Sequence, residues 1–180
     1  TAKDQAVTAA IATESKVDLA DAWSFANNLP DGPSRTTAIN GLVAAAAKDN
    51  PAQLGAILAE MPSGPDQLKD VTTLSEAWSN GDDASFNAWV NQLPKGDMRD
   101  TALVQYNASG VAGRHPDQAV KRMNSITNSD LRATQIQIAL SKLAATNLQS
   151  ALDLLQKANL TDDQKSSLAN VLTKASTPGN

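Results

Sequence analysis

The sequence contains no cysteine, a single histidine, and only six aromatic residues among 180: three Trp, two Phe and one Tyr. Without cysteine there are no disulfides, no thiol nucleophile and no thiolate metal site. The lone His115 removes most imidazole metal sites and would be the only imidazole base for Ser/His/Asp chemistry. No Gly-x-Ser-x-Gly elbow, phosphate-cradling glycine loop, dinucleotide fingerprint or EF-hand spacing occurs. The expectation is therefore a chain with no catalytic residues, no metal and no cofactor. Long apolar runs are also missing, since none approaches the ~18 residues that span a bilayer, and no signal-peptide core is present. Positive charge is in deficit, with 15 Lys+Arg against 19 Asp+Glu and a net charge of -4. That balance argues against a nucleic-acid partner, because neutralising phosphates requires excess Lys and Arg.

What the chain does have is small and helix-forming. Alanine occurs 31 times, and sixteen of the nineteen acids are Asp, the residue that starts helices and turns. Charge is unevenly spread. Residues 1–96 hold twelve acids and six bases, whereas residues 97–180 hold seven acids and nine bases. The basic excess around Arg114, Lys121, Arg122 and Arg132 reads as a solvated helical face. A Cys-free surface rich in Asn, Gln, Ser and Thr leans towards an exported, periplasmic-type protein.

A repeat organises these residues. Pro30, Pro62 and Pro94 are each 32 residues apart, and Thr127 and Asn159 fall in the same slot 33 and then 32 residues further on. Counting from these five anchors, positions -8, -5, -4 and -1 form a helical stripe. It reads Ala22, Phe25, Ala26, Leu29; Leu54, Ile57, Leu58, Met61; Phe86, Trp89, Val90, Leu93; Ala119, Arg122, Met123, Ile126; and Ala151, Leu154, Leu155, Ala158. Arg122 alone breaks the apolar pattern. A second stripe follows at +9, +12 and +16, from Ile39, Leu42 and Ala46 in the first unit to Leu168, Val171 and Ala175 in the last. A proline at the anchor stops one helix, and turn residues such as Asp31-Gly32, Ser63-Gly64 and Lys95-Gly96 lead into the next.

The prediction is all-α: an α-solenoid, a right-handed superhelix of two-helix repeats with a period of about 32 residues. A single repeat domain would cover 1–175, with a half-unit helix at 3–15, helix pairs at 18–48, 51–80, 83–113, 116–145 and 148–175, and a disordered tail at 176–180. The extra residue of the third period is expected beside His115, in a loop between units.

The segments Ala22-Trp23…Leu29-Pro30-Asp31-Gly32-Pro33-Ser34-Arg35 and Ala88-Trp89…Leu93-Pro94-Lys95-Gly96-Asp97-Met98-Arg99 carry a resemblance. They are similar to the tetratricopeptide and HEAT-like helical repeats, and in particular to degenerate Ala-Trp…Leu-Pro-x-Gly-x-x-Arg arrays of large bacterial proteins. The likeness covers nearly the whole chain and is strongest over 18–110. It implies a protein- or peptide-binding scaffold without chemistry of its own. Two rivals are a helical-repeat enzyme acting on nucleic acid or cell wall, and a structural spacer within a longer array.

The candidate binding residues are Trp23, Arg35, Arg99, Arg122 and Arg132. Three of these arginines, Arg35, Arg99 and Arg132, share the slot at anchor+5 with Gln67 and Gln164. A ladder of guanidinium groups could grip acidic side chains. A feature repeated at the architectural period is read first as architecture, with Asp31, Asp97, Asp130 or helix-end carbonyls as partners. Arg122 on an apolar stripe means burial with a partner or a locally open groove. Trp23 lies about 100° around its helix from the core stripe, packing on the 3–15 helix or standing out as an anchor for a partner.

Overall fold

Asp18, Asn50, Asp82, His115 and Asn147 occupy one slot, twelve residues before each anchor, and each stands immediately before a helix. Where that residue is Asp or Asn, its side chain can take up the helix's unbonded first amides. Asp18 accepts from Ala20 and Asp21 at 2.9 and 3.1 Å, Asp82 from Ala84 and Ser85 at 2.9 and 3.1 Å, and Asn147 from Ser150 at 3.0 Å. Asn50 and His115 make no such side-chain bond, and there Pro51 and Pro116 begin the helix with no amide to satisfy.

The second helix of each pair opens differently. Gly32, Gly64 and Gly96 precede the first three of these helices, and Gly32 and Gly96 have φ of 148° and 146°. A side chain is strained at that angle, so glycine is required at both turns. In the fourth pair Asn128 caps instead, accepting from Asp130 and Leu131 at 3.0 Å each. In the fifth, Thr161 and Gln164 bond reciprocally, at 3.0 and 3.2 Å, as a capping box.

The computed structural model describes residues 18–176; the expected 3–15 helix and residues 177–180 of the expected tail lie outside the described residues. The described residues are all-α, with no strand among them. The chain divides into two compact units, Thr1–Leu93 and Pro94–Asn180. In the first, α1 (Leu19–Asn27) and α2 (Pro33–Asp49) are followed by α3 (Pro51–Glu60), α4 (Pro65–Trp78) and α5 (Asp83–Gln92). Here α2 packs on α4, and α3 packs on α4 and α5. In the second unit, α6 (Asp97–Tyr106) runs through a π turn at Asn107–Val111 into the short α7 (Ala112–Arg114). Helices α8 (Pro116–Met123), α9 (Ser129–Ala144), α10 (Leu148–Gln156) and α11 (Asp162–Ser176) complete it, with α9 packed on α8, α10 and α11.

In the first stripe, slots -8 and -4 are buried in all five repeats. Slot -5 is not uniform: Trp89 is buried, yet Phe25, expected in the core, is 54% exposed. The expected second stripe also needs correction. Gly110, Val171 and Ala175 are exposed, whereas Val43, Ser75, Asn107, Leu140 and Leu172, all at +13, are buried. Two of those five are polar, so a search for apolar periodicity passes over the slot. The extra residue of the third period is not beside His115. The π turn at 107–111 absorbs it, with Gly110 at φ 94°, and His115 returns to the helix-start slot.

The core of the first unit includes an aromatic trio. Trp78 meets Phe86 edge-on at 5.8 Å and Trp89 at 5.3 Å, and Phe86 lies 5.9 Å from Trp89. Gly55 in the middle of α3 costs about 1 kcal/mol of helix propensity. It is there because a Cβ would stand 2.6 Å from Trp89 Nε1.

Candidate functional site

In the second and fourth repeats the turn after the anchor brings the +5 side chain back over the end of the preceding helix. Gln67 donates to the carbonyls of Leu58 and Met61 at 2.8 and 3.1 Å. Arg132 donates to Ile126 at 2.7 Å and to Asn159 at 2.8 Å, joining two successive turns. Arg35 pairs with Asp31, and its other terminal nitrogen lies 3.5 Å from Asn27 Oδ1. Gln67 and Arg132 thus satisfy carbonyls at or just beyond helix ends, which have no partner along the helix, whereas Arg35 is met by side-chain oxygens. Arg99 is half-buried, and its Nε finds no partner among the described residues.

Arg122 is drawn inside the second unit and is 7% exposed. Its Nε donates to Asn107 Oδ1 at 3.2 Å, and its guanidinium lies 5.1 Å from the centre of the Tyr106 ring. Asn107 completes the arrangement by donating to the Leu103 carbonyl at 2.8 Å. The charge that broke the apolar stripe is thus met by an aromatic face and an amide at the π turn.

Trp23 and Arg35 come together in the first unit. They line a cavity of about 530 Å³ formed by α1, α2, α4 and the turns at 31–32 and 61–64. Such a volume suits a side chain or a small ligand. Ile39, Met61, Pro62 and Pro65 give it apolar walls, and Asn27 and Asn40 add amides. Arg99, Arg122 and Arg132 belong to the second unit and do not line it.

Asp70, which the sequence reading passed over, also lines this cavity. Only 4% of it is exposed, and among the described residues it makes no hydrogen bond or ion pair. Burial pushes its carboxyl from 3.8 up to about 6; Lys69 opposes that rise and Asp66 adds to it. Its +8 slot holds Ala38 and Ala102 in neighbouring repeats, so a carboxylate among alanines at one slot was the available signal.

The raised value has a signed consequence. The native state holds this proton more tightly than the unfolded chain, so the stability that Asp70 contributes is present below about pH 4 and lost as pH rises through 6. Asp70→Asn is expected to be more stable than the parent at pH 7.5, by about 3 kcal/mol from the size of such a shift. The gain should vanish near pH 4, as urea midpoints at the two pH values would show.

No three His, Asp or Glu side chains converge to hold a metal ion among the described residues. No helix among them is long and apolar enough to cross a membrane. Comparison with protein-family models, with curated proteins and with solved structures gives no match.

Proposed function

We propose that this chain is a non-catalytic protein- or peptide-binding scaffold, an α-solenoid of two-helix repeats similar to the tetratricopeptide and HEAT-like class. The observation that carries the reading is a cavity of the first unit, lined by Trp23, Arg35 and the buried Asp70, whose carboxylate makes no hydrogen bond or ion pair among the described residues. The repeated helix-start and anchor+5 slots supply a frame of nearest-neighbour contacts, and such a frame with an open cavity suits recognition. Arg35 pairs with the exposed Asp31, and both line the cavity.

Selection from a random peptide library on the immobilised chain tests this reading. Enriched peptides are expected to lose at least about tenfold in affinity on Trp23→Ala, because aromatic anchors dominate interface energies. Peptides that bind Trp23→Ala and Arg35→Ala as well as the parent would place the interface elsewhere.

A helical-repeat enzyme is a second reading, favoured by the raised pKa of Asp70. Polyanionic substrates suit the acidic first unit poorly, and glycan hydrolysis needs a second carboxyl group about 5–10 Å away. Turnover of DNA or of cell-wall glycan that Asp70→Asn abolishes would establish this alternative.

A further inference from the structure

The cavity's charged groups are unequally satisfied. Five groups matter: Asp31 and Arg35 from the first turn and α2, and Asp66, Lys69 and Asp70 from α4. Arg35 is taken by Asp31, and Lys69 Nζ donates to Asn40 Oδ1 at 2.8 Å. Both cations are therefore already engaged. Asp66 and Asp70 are not, since neither makes a hydrogen bond or ion pair among the described residues. A buried carboxylate facing a cavity without a donor lacks an N–H, and the Lys69 charge beside it, whose ammonium bonds Asn40, offsets its burial only in part.

The surroundings favour the same sign. Residues 1–93 hold twelve Asp+Glu against five Lys+Arg, so the unit's own field attracts positive charge. Trp23 contributes an aromatic wall, which suits the aliphatic stem and charged head of a long basic side chain. An anionic guest would meet three carboxylates against two cations, both of which already have a partner.

We propose that the cavity receives the lysine or arginine side chain of a bound peptide, with Asp70 as its counter-ion and Trp23 as the wall along which its stem lies. The proposal rests on the scaffold reading and sharpens it to a partner of stated chemistry. Once a cation is seated, the cost of the buried charge falls, so occupancy lowers the pKa of Asp70 towards the ordinary carboxylate range.

The test uses the ¹⁵N-labelled full chain and capped heptapeptides of glycine and alanine bearing lysine, norleucine or glutamate at the centre. Norleucine keeps the stem and removes the charge. The lysine peptide is expected to shift the amides around Gly32, Gly64 and Asp70 saturably, and to lower the Asp70 carboxyl pKa by about one unit or more. Asp70→Asn, which removes a buried charge and keeps the shape, should weaken that binding by about tenfold or more. If norleucine binds as well as lysine, or glutamate binds better, the cation inference fails and the scaffold reading stands. Lysine binding that Asp70→Asn leaves unchanged also overturns it. If no peptide in the panel moves any cavity amide, both readings fall.

Discussion

Phe86→Ala is expected to cost about 3–5 kcal/mol of stability, the range for truncating a fully buried phenylalanine. Phe86 has no exposed surface and touches both Trp78 and Trp89, with the Trp78 ring meeting it edge-on at an interplanar angle of 83°. Its loss removes the transfer energy of the ring and two aromatic contacts, and leaves a void walled by rigid indoles that cannot close over it. Trp89 is already hemmed in by Gly55, where even a methyl group would collide with it, so it has little freedom to move towards the space. Urea unfolding followed by tryptophan fluorescence measures the loss. Phe86→Leu refills most of the volume and should recover more than half of it. A cost below about 1 kcal/mol for the alanine variant would mean that the trio is not part of the core of the first unit.

Asp100→Ala is expected to cost about 2–3 kcal/mol, and to do so in the second unit. The Asp100 carboxylate is 5% exposed and accepts from the amides of Thr127 and Asn128 at 2.8 and 3.1 Å. Those amides begin the turn of the following repeat, so one side chain on α6 fastens a turn some 27 residues away. Hydrogen bonds to a charged acceptor are worth more than neutral ones, and removing the acceptor leaves two donors to find water. Asp100→Asn keeps one oxygen to accept and turns an amide N–H towards the other donor, so it should retain less than half of the stabilisation. Hydrogen exchange separates this from a general loss: the Thr127 and Asn128 amides should exchange faster before the rest of the unit does.

The helices were legible because their signals are local. A proline or a turn at each anchor, a capping side chain or a helix-starting proline about twelve positions earlier and, in three repeats, a glycine two positions later each act within one turn of chain. Core composition was legible at -8 and -4, where every residue is apolar, and less so at +13, where Ser75 and Asn107 are buried. Asn107 is inside because Arg122 needs an acceptor, a pairing 15 residues apart that no stripe displays. Phe25 shows the converse: it has the spacing of a core residue and is exposed. The π turn hid its extra residue for a similar reason, since a wide turn leaves the helix running and breaks no pattern. Of the site, Trp23 and Arg35 stood out by residue type and slot. Asp70 did not: its sequence signal, a carboxylate at a slot that holds Ala38 and Ala102 in neighbouring repeats, is faint in a chain with sixteen Asp, and its burial is what marks it.

The claim on which the scaffold reading rests is that helix pairs lean on their neighbours along the chain and share no central core. Separating the chain at the junction of its two units, into residues 1–93 and 94–180, tests it directly by circular dichroism of each piece. Each half is expected to remain helical and to unfold cooperatively, with the two signals at 222 nm summing to nearly that of the intact chain. Two halves that are both random coil, and regain helix only when mixed, would contradict the account.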